Sequence, residues 1–104
     1  MSVQFDYSGK VAIVTGAGTG IGRATALAFA KAEASVAVVG RSEGNTQETL
    51  RLITESVGIA IAIIADVAKE DEIKSAIAKT GADFGRLDFA FNNDGIENKA
   101  PQTA

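Results

Sequence analysis

Four apolar runs alternate along the chain with segments in which apolar residues recur at helical spacing. The runs predict strands at about residues 10–15, 35–39, 59–65 and 87–92. The first three runs are nearly continuous, which is typical of parallel strands that helices cover on both faces of the sheet. The alternation therefore predicts βαβ units and an α/β fold with a parallel sheet.

The three segments between these runs predict helices. The first covers about residues 21–32 and is rich in Ala, and the second places Leu50, Ile53 and Val57 on one stripe. In the third segment one stripe holds Ile73, Ala76, Ile77, Thr80 and Phe84. The acidic residues at 70–72 open this third helix, where the helix dipole favours negative charge.

A glycine-rich turn joins the first strand to the first helix. It reads Thr15-Gly16-Ala17-Gly18-Thr19-Gly20-Ile21-Gly22. Glycines let the backbone approach a ligand closely, and a helix N-terminus directs N–H groups and a partial positive charge at that ligand. An ordinary tight turn is the alternative for this motif alone. The favoured interpretation is a pyrophosphate site formed by Gly16, Gly18, Thr19, Gly20, Ile21 and Gly22.

The same turn reads T-G-x-x-x-G-I-G, and here the chain resembles the short-chain dehydrogenase/reductase family. Three further pieces match in order: the opening at residues 9–16, Asp66-Val67 after the third run, and Asn92-Asn93-Asp94-Gly95 after the fourth. The last piece is similar to the family's Asn-Asn-Ala-Gly signature. The resemblance covers nearly the whole chain and implies a Rossmann-like doubly wound parallel sheet, truncated here, with strand order 3-2-1-4.

The resemblance also implies a nicotinamide dinucleotide and residues that bind it. Asp66 would accept from the exocyclic amine of the adenine, and Val67 would pack on the ring face. Asn92 would brace neighbouring strands and contact the central ribose region through its backbone. From the residues alone, a helix-capping Asp beside a core Val is the alternative for the first pair.

The end of the second strand bears on which dinucleotide binds. An Asp or Glu there would bond the adenosine ribose hydroxyls and repel a 2′-phosphate, but the chain has Gly40, followed by Arg41 and Ser42. Because a guanidinium can bind phosphate through two hydrogen bonds, this arrangement favours NADP(H) over NAD(H). The alternatives are that Arg41 points to water and that Ser42 caps the next helix.

The family's catalytic residues are a Ser, a Tyr and a Lys four positions after that Tyr, and we find no counterpart for them. The only Tyr is Tyr7, and the chain has no His. We therefore expect no catalytic residue here and no dehydrogenase activity from this chain alone. The chain is interpreted as the NADP(H)-binding portion of an oxidoreductase that moves a hydride between the cofactor and an alcohol or carbonyl. The alternative is a non-catalytic nucleotide-binding module or a partner subunit that docks through its open sheet edge.

Composition narrows the classes of partner and compartment. The 104 residues, 46% of them apolar, suffice for one dinucleotide-binding domain over residues 1–96, followed by a polar tail at 97–104. The net charge of −3 gives no indication of nucleic acid or an anionic membrane. With no Cys and no His, we expect no disulfide and no metal site.

No apolar run is long enough to span a bilayer, and a cytoplasmic location is the default expectation.

Three residues depart from the family's pattern. Asp94 stands where the family has Ala, and its carboxylate would repel the dinucleotide's phosphates. Glu33 follows the first helix at a position that often needs the left-handed conformation, and Gly81 interrupts the third helix. Each of these two is expected to cost about 1 kcal/mol of stability.

The fourth strand has no predicted neighbour on its outer side, and a single helix covers one face of the sheet. We expect apolar side chains such as Ile13, Phe89 and Phe91 to be exposed there. Open strand edges and apolar patches drive association, so self-association or docking of a second chain is expected at this edge.

Overall fold

A computed structural model of the chain shows a parallel sheet of four strands with helices on both faces. The structure describes residues 6–93. In chain order the elements are β1 (Val11–Thr15), α1 (Gly20–Lys31), β2 (Ser35–Gly40), α2 (Glu43–Glu55), β3 (Ile59–Ile64), α3 (Glu70–Phe84) and β4 (Phe89–Asn92). The strands lie in the order β3-β2-β1-β4, which confirms the predicted order and the Rossmann-like fold.

Each face of the sheet has its own core. On one face α1 and α2 pack on the sheet, and the buried core between them holds Val14, Ala17, Ala26, Val36, Val38 and Ile53. On the other face the core between α3 and the sheet holds Ile13, Ala37, Val39, Ala65 and Ala76. Consecutive residues of β1, such as Ile13 and Val14, enter opposite cores because side chains alternate across a strand. The two cores explain why β1 and β2 are continuous apolar runs rather than alternating ones.

β4 forms an exposed edge of the sheet. Among residues 6–93 it pairs only with β1, with Ala12 opposite Phe89. Phe91 is 43% exposed, as expected, but the expected exposure of the other two residues is wrong: Ile13 is only 2% exposed, and Phe89 is half-buried and packs on Phe29 of α1. Ile13 is buried because it packs with Ala37 and Ala76 under α3, so one helix suffices to cover that part of the face.

Four aromatic rings pack together where β4 meets α1. Tyr7, Phe29, Phe89 and Phe91 form an aromatic cluster whose neighbouring ring centroids are between 5.1 and 5.6 Å apart. The N–H of Tyr7 donates to the carbonyl of Ala32 at 2.7 Å. The segment before β1 is thereby held against both the end of α1 and the edge strand.

α1 and α2 are both followed by a non-glycine residue in the left-handed region. The φ angles are +76° at Glu33 and +66° at Val57. The angle at Glu33 agrees with the left-handed conformation that the sequence suggested for that position. The place of Val57 in the predicted apolar stripe is wrong, because α2 ends at Glu55 and Val57 is 90% exposed. The chain turns instead, and the Gly58 N–H donates to a carbonyl within the last turn of α2.

α3 shows the predicted stripe only in part. Ala76 and Thr80 are buried, but Ile77 is 44% exposed. The acidic residues at 70–72 occupy its first turn, as predicted, and Gly81 lies inside the helix. A helix that contributes small buried side chains can lie close to the sheet, which leaves the larger Ile77 at the rim of the contact.

Asp88 connects the start of β4 to β1. Its Oδ2 accepts from the N–H of Val11 at 2.8 Å and from Nε of Arg86 at 2.9 Å, and its Oδ1 accepts from the other arm of the guanidinium at 2.8 Å. The hydrogen bond with Arg86, and then that with the Val11 amide, lower the pKa of this carboxyl below its ordinary value. The carboxylate thus fixes the register of β4 against β1 at the end of the sheet opposite the glycine-rich turn.

We expect Val57→Gly to raise the free energy of unfolding by about 1 kcal/mol, because a β-branched residue at positive φ is strained and glycine is not. Little burial is lost, since the side chain is 90% exposed. Val57→Ala keeps the Cβ and is the control, for which a smaller gain is expected. Equal unfolding midpoints for all three proteins in urea would contradict the backbone conformation described here.

The acid sensitivity of the fold should depend on Asp88. A carboxyl with a lowered folded-state pKa contributes stability above its unfolded-state pKa and loses that contribution as the pH falls through the folded-state pKa. We expect Asp88→Asn to be less stable at neutral pH and to lose less further stability below about pH 4. Urea unfolding at several pH values measures this, with Asp83→Asn on α3 as the matched control. Parallel pH profiles for Asp88→Asn and the unsubstituted chain would contradict the assignment.

Candidate functional site

A cleft of about 320 Å³ opens at the carboxyl ends of the strands, next to β1. The strand order reverses direction at β1, and ligands of doubly wound sheets bind at such a position. The cleft is lined by Gly16, Gly18, Thr19, Gly20, Ile21, Gly22, Gly40, Arg41, Ser42, Asn45, Thr46 and Asn93. It therefore brings the glycine-rich turn together with Arg41 and Ser42, whereas Asp66, Val67 and Asn92 do not line it.

The glycine-rich turn follows a backbone path that favours glycine. The φ angles are +63° at Gly16 and +55° at Gly20, where a Cβ would be strained. Helix α1 then begins after Thr19, whose side chain makes no capping hydrogen bond, and its first turn holds no acidic residue. The first amides of α1 therefore keep both their donor capacity and their positive potential. This arrangement suits an anion such as a pyrophosphate.

Gly22 lets α1 lie directly against the turn. A Cβ at this position would be 1.8 Å from the carbonyl oxygen of Gly16 and 2.5 Å from its carbonyl carbon. A Cβ at Gly18 would be 3.0 Å from the Cβ of Asn45, at the start of α2. Gly22 is therefore needed for space, while Gly18 permits a close approach of α2, and the two helix N-termini lie close to one cleft.

Hydrogen bonds hold Ala17 at the centre of the turn. Its N–H donates to the carbonyl of Val39 at 3.0 Å, and its carbonyl accepts from Oγ1 of Thr49 at 2.8 Å. Nε of Arg23 donates to the same hydroxyl at 2.9 Å, and the guanidinium also donates to the carbonyl of Asn45 at 3.2 Å. Thr49 and Arg23 thereby connect the turn, α1 and α2.

Thr46 and Thr49 are site residues that the sequence reasoning missed. Both are fully buried and share a face of α2 with Ile53, at positions i, i+3 and i+7. The predicted stripe of this helix was anchored on Leu50, Ile53 and Val57, and the two Thr residues were left out of it. Counting Thr as compatible with the core, as was done for Thr80 in the third helix, would have revealed the stripe.

Arg41 lies at the rim of the cleft, just after β2. Its side chain is exposed, and among residues 6–93 no carboxylate forms an ion pair with it. Arg51 and Arg86, by contrast, both pair with carboxylates. A guanidinium without a carboxylate partner keeps its five donors available for an oxyanion.

Ser42 is the N-cap of α2. Its Oγ accepts from the N–H of Asn45 at 3.2 Å, so the capping alternative for this residue is realised. Because a hydroxyl can accept one hydrogen bond and donate another, capping leaves the Ser42 proton able to reach an acceptor in the cleft.

Asp66 and Val67 follow β3, outside the cleft lining. Oδ1 of Asp66 accepts from the N–H of Ala68 at 3.0 Å, and its own N–H donates to Glu72 at 2.6 Å. Val67 is half-buried and packs against the core under α3. These contacts give both residues a structural role, and their role toward an adenine ring stays a prediction.

Asn92 and Asn93 link the end of β4 to β1. Oγ1 of Thr15 donates to Oδ1 of Asn92 at 2.9 Å, while the backbone and side-chain N–H groups of Asn93 both donate to the Thr15 carbonyl at 3.3 Å. The bracing of neighbouring strands is therefore visible, and Asn93 adds a cleft residue that was not predicted. Asp94 lies outside the described residues, as does the polar tail at 97–104.

Residues 6–93 contain neither a metal-binding cluster nor a membrane-spanning helix. No group of three or more Asp or Glu side chains there could hold a metal ion. No helix in the same range is long and apolar enough to cross a membrane.

The sheet and the glycine-rich turn together define the class of Rossmann-like dinucleotide-binding folds. Over residues 10–104 the chain matches the family described as short chain dehydrogenase. The chain belongs to this family, and membership implies a nicotinamide dinucleotide as cofactor.

Three relatives illustrate the match. The chain is 45% identical over 91 residues to an uncharacterized oxidoreductase of Thermotoga maritima, covering 88% of this chain and 36% of that protein. It is 40% identical over 93 residues to the short-chain dehydrogenase/reductase homolog YusS of Bacillus subtilis, covering 88% of this chain and 85% of that protein. A hydroxysteroid dehydrogenase structure from Escherichia coli superposes with a TM-score of 0.82 at 33% identity, covering 84% of this chain and 37% of that chain. The chain thus spans little more than a third of the first and third proteins, and most of the second.

We expect Gly22→Ala to destabilise the chain by roughly 3 kcal/mol or more, because its Cβ can be accommodated only if backbone moves. Gly44→Ala is the matched control, since nothing lies within 4 Å of a Cβ there. That control should gain up to about 1 kcal/mol, as Gly is unfavourable within a helix. Thermal unfolding followed by circular dichroism gives both values. A Gly22→Ala protein with an unchanged midpoint would show that α1 does not approach the turn this closely.

Proposed function

We propose that this chain is the NADP(H)-binding portion of a short-chain oxidoreductase. The whole enzyme would transfer a hydride between the cofactor and an alcohol or carbonyl substrate. The observation that carries the proposal is the exposed guanidinium of Arg41, without an ion-pair partner among residues 6–93, beside Gly40 at the rim of the cleft. When bound, the cofactor supplies the hydride chemistry, and the residues of this chain bind and orient it.

The turn and the start of α1 would hold the pyrophosphate. Gly22 lets the start of α1 lie directly against Gly16, and the uncapped first amides of α1 would donate to the anion. Thr19 adds a hydroxyl that makes no capping bond. The residues assigned to the pyrophosphate are Gly16, Gly18, Thr19, Gly20, Ile21 and Gly22.

The adenosine half would lie between the ends of β2 and β3. Arg41 would bind the 2′-phosphate, with Ser42 donating its hydroxyl proton. Asp66 already accepts from the Ala68 N–H through Oδ1, but a carboxylate has further acceptor sites for the adenine amine. Val67 would contact the ring face, and Asn92 would contact the central ribose region from a position that Thr15 fixes.

Proton transfer is not assigned to this chain. Its only Tyr, Tyr7, lies before β1 and stacks on Phe29 and Phe89 in the aromatic cluster. This position is at the amino end of β1, whereas the cleft lies at the carboxyl end. The arrangement supports binding of the cofactor by this chain, with the chemistry carried by residues outside it.

A second candidate function is a non-catalytic nucleotide-binding module or partner subunit. The observation that favours it is the 85% coverage of the Bacillus subtilis homolog, because a chain of about this length therefore occurs among the relatives. Such a module would dock a second copy or another chain along β4, where Phe91 is 43% exposed. Sedimentation at micromolar concentration, with and without NADPH, distinguishes the candidates: NADPH binding that requires an assembled form supports the module, and NADPH binding that is independent of assembly supports the first proposal.

We expect the chain to bind NADPH at least tenfold more tightly than NADH, and Arg41→Ala to remove most of that difference. A charge-assisted hydrogen bond contributes about 1.5–3 kcal/mol, and about 1.4 kcal/mol corresponds to tenfold. Fluorescence titration with both cofactors at one ionic strength measures the ratio.

Arg51→Ala is the charge-matched control for this experiment. Arg51 pairs with Glu48 and Glu55 along the exposed side of α2, and it does not line the cleft. We expect its removal to leave the ratio unchanged. Equal affinity of the unsubstituted chain for the two cofactors would refute the assignment of Arg41.

A further inference from the structure

Gly40 is a glycine for reasons of space and not of backbone conformation. It lies in β2, and its φ angle is outside the left-handed region. A Cβ at this position would be 2.4 Å from Oγ1 of Thr46, whereas the next nearest atoms, the Gly18 nitrogen and the Thr46 Cβ, would be 3.7 Å away. The hydroxyl of Thr46 is therefore the group that obstructs a side chain at position 40.

This hydroxyl lies beside position 40 without contributing a hydrogen bond. Thr46 is fully buried, and a Thr within a helix divides mainly between two χ1 rotamers, so close packing limits where the hydroxyl can move. Among residues 6–93, Oγ1 of Thr46 has no hydrogen-bond partner. Burying an unpaired hydroxyl is unfavourable for the fold, so the stability of the fold does not explain its presence beside the cleft.

We propose that Thr46 is a specificity-determining residue of the cofactor site, which acts by excluding any side chain from position 40. In dinucleotide-binding folds that position carries the Asp or Glu that bonds the ribose hydroxyls and repels a 2′-phosphate. With Thr46 in place no acidic side chain fits at position 40, so no carboxylate there repels the 2′-phosphate that Arg41 would bind. The inference rests on the proposed NADP(H) function, but the steric contact can be measured without any cofactor.

The contact is tested by a double-mutant cycle on the thermal stability of the full chain. Gly40→Ala should lower the unfolding midpoint by roughly 5–10 °C, because the added Cβ overpacks the site. In a Thr46→Ala background, which removes Oγ1, the same substitution should lower the midpoint by less than half as much. Thr46→Val is the matched control, since it retains an atom at the position of the hydroxyl and should give no relief. Equal losses in the unsubstituted and Thr46→Ala backgrounds would overturn the proposal.

The effect on selectivity is tested by titrating NADH and NADPH into Gly40→Asp, Thr46→Ala and the double variant. We expect Gly40→Asp alone to weaken both cofactors, and the double variant to shift the ratio of affinities toward NADH at least tenfold relative to Thr46→Ala. The same shift in Gly40→Asp alone would overturn the proposal. If neither NADPH nor NADH binds to the unsubstituted chain, the proposed function fails and selection by Thr46 fails with it. The stability cycle then still reports whether the contact exists.

Discussion

The contact between the backbone of α1 and the backbone of the glycine-rich turn sets the position of everything around the cleft. Gly22 approaches the Gly16 carbonyl so closely that a Cβ would be 1.8 Å from its oxygen. Because α1 begins at this contact, its free amides face the space above β1. Because Ala17 is held between Val39 and Thr49, the turn stays in register with both β2 and α2. The shape of the site is therefore fixed by main-chain packing and hydrogen bonds, which side chains could alter only by displacing backbone.

The two faces of the sheet contribute unequally to the site. α1 and α2 lie on one face and direct both of their N-termini toward the cleft, while α3 covers the other face with small residues such as Ala76. After β4, Asn93 is the one cleft residue within the part of the chain that the structure describes. The side of the cleft formed by β1, β2 and α2 is thus the more complete one. Under our proposal it receives the adenosine and the pyrophosphate, the parts of a dinucleotide that bind without reacting.

The strands, the helices and the glycine-rich turn could be predicted from the sequence, because each depends on a local pattern: apolar runs, helical spacing or glycines at a strand end. The strand order was implied by the resemblance to the family and by the preference for right-handed crossovers. The sequence also placed the left-handed conformation at Glu33. The features that could not be predicted from the sequence depend on contacts between distant segments. The burial of Ile13 required knowing how closely α3 approaches the sheet, and the exposure of Val57 required knowing where α2 ends. Thr46 and Thr49 were missed because their burial depends on how closely α2 approaches the glycine-rich turn and β2, and periodicity does not show that approach.

The aromatic cluster has a spectroscopic consequence. The chain contains one Tyr and no Trp, so Tyr7 dominates the intrinsic ultraviolet emission of the protein. Its ring centroid lies 5.2 Å from that of Phe89 on the edge strand and 5.6 Å from that of Phe29 on α1, at the end of β1 opposite the cleft. Any process that lifts β4 from the sheet alters the surroundings of this single fluorophore, whereas a ligand confined to the cleft does not touch them. The fluorescence of Tyr7 therefore reports on the open edge of the sheet, at a place separate from the cleft where a cofactor would bind.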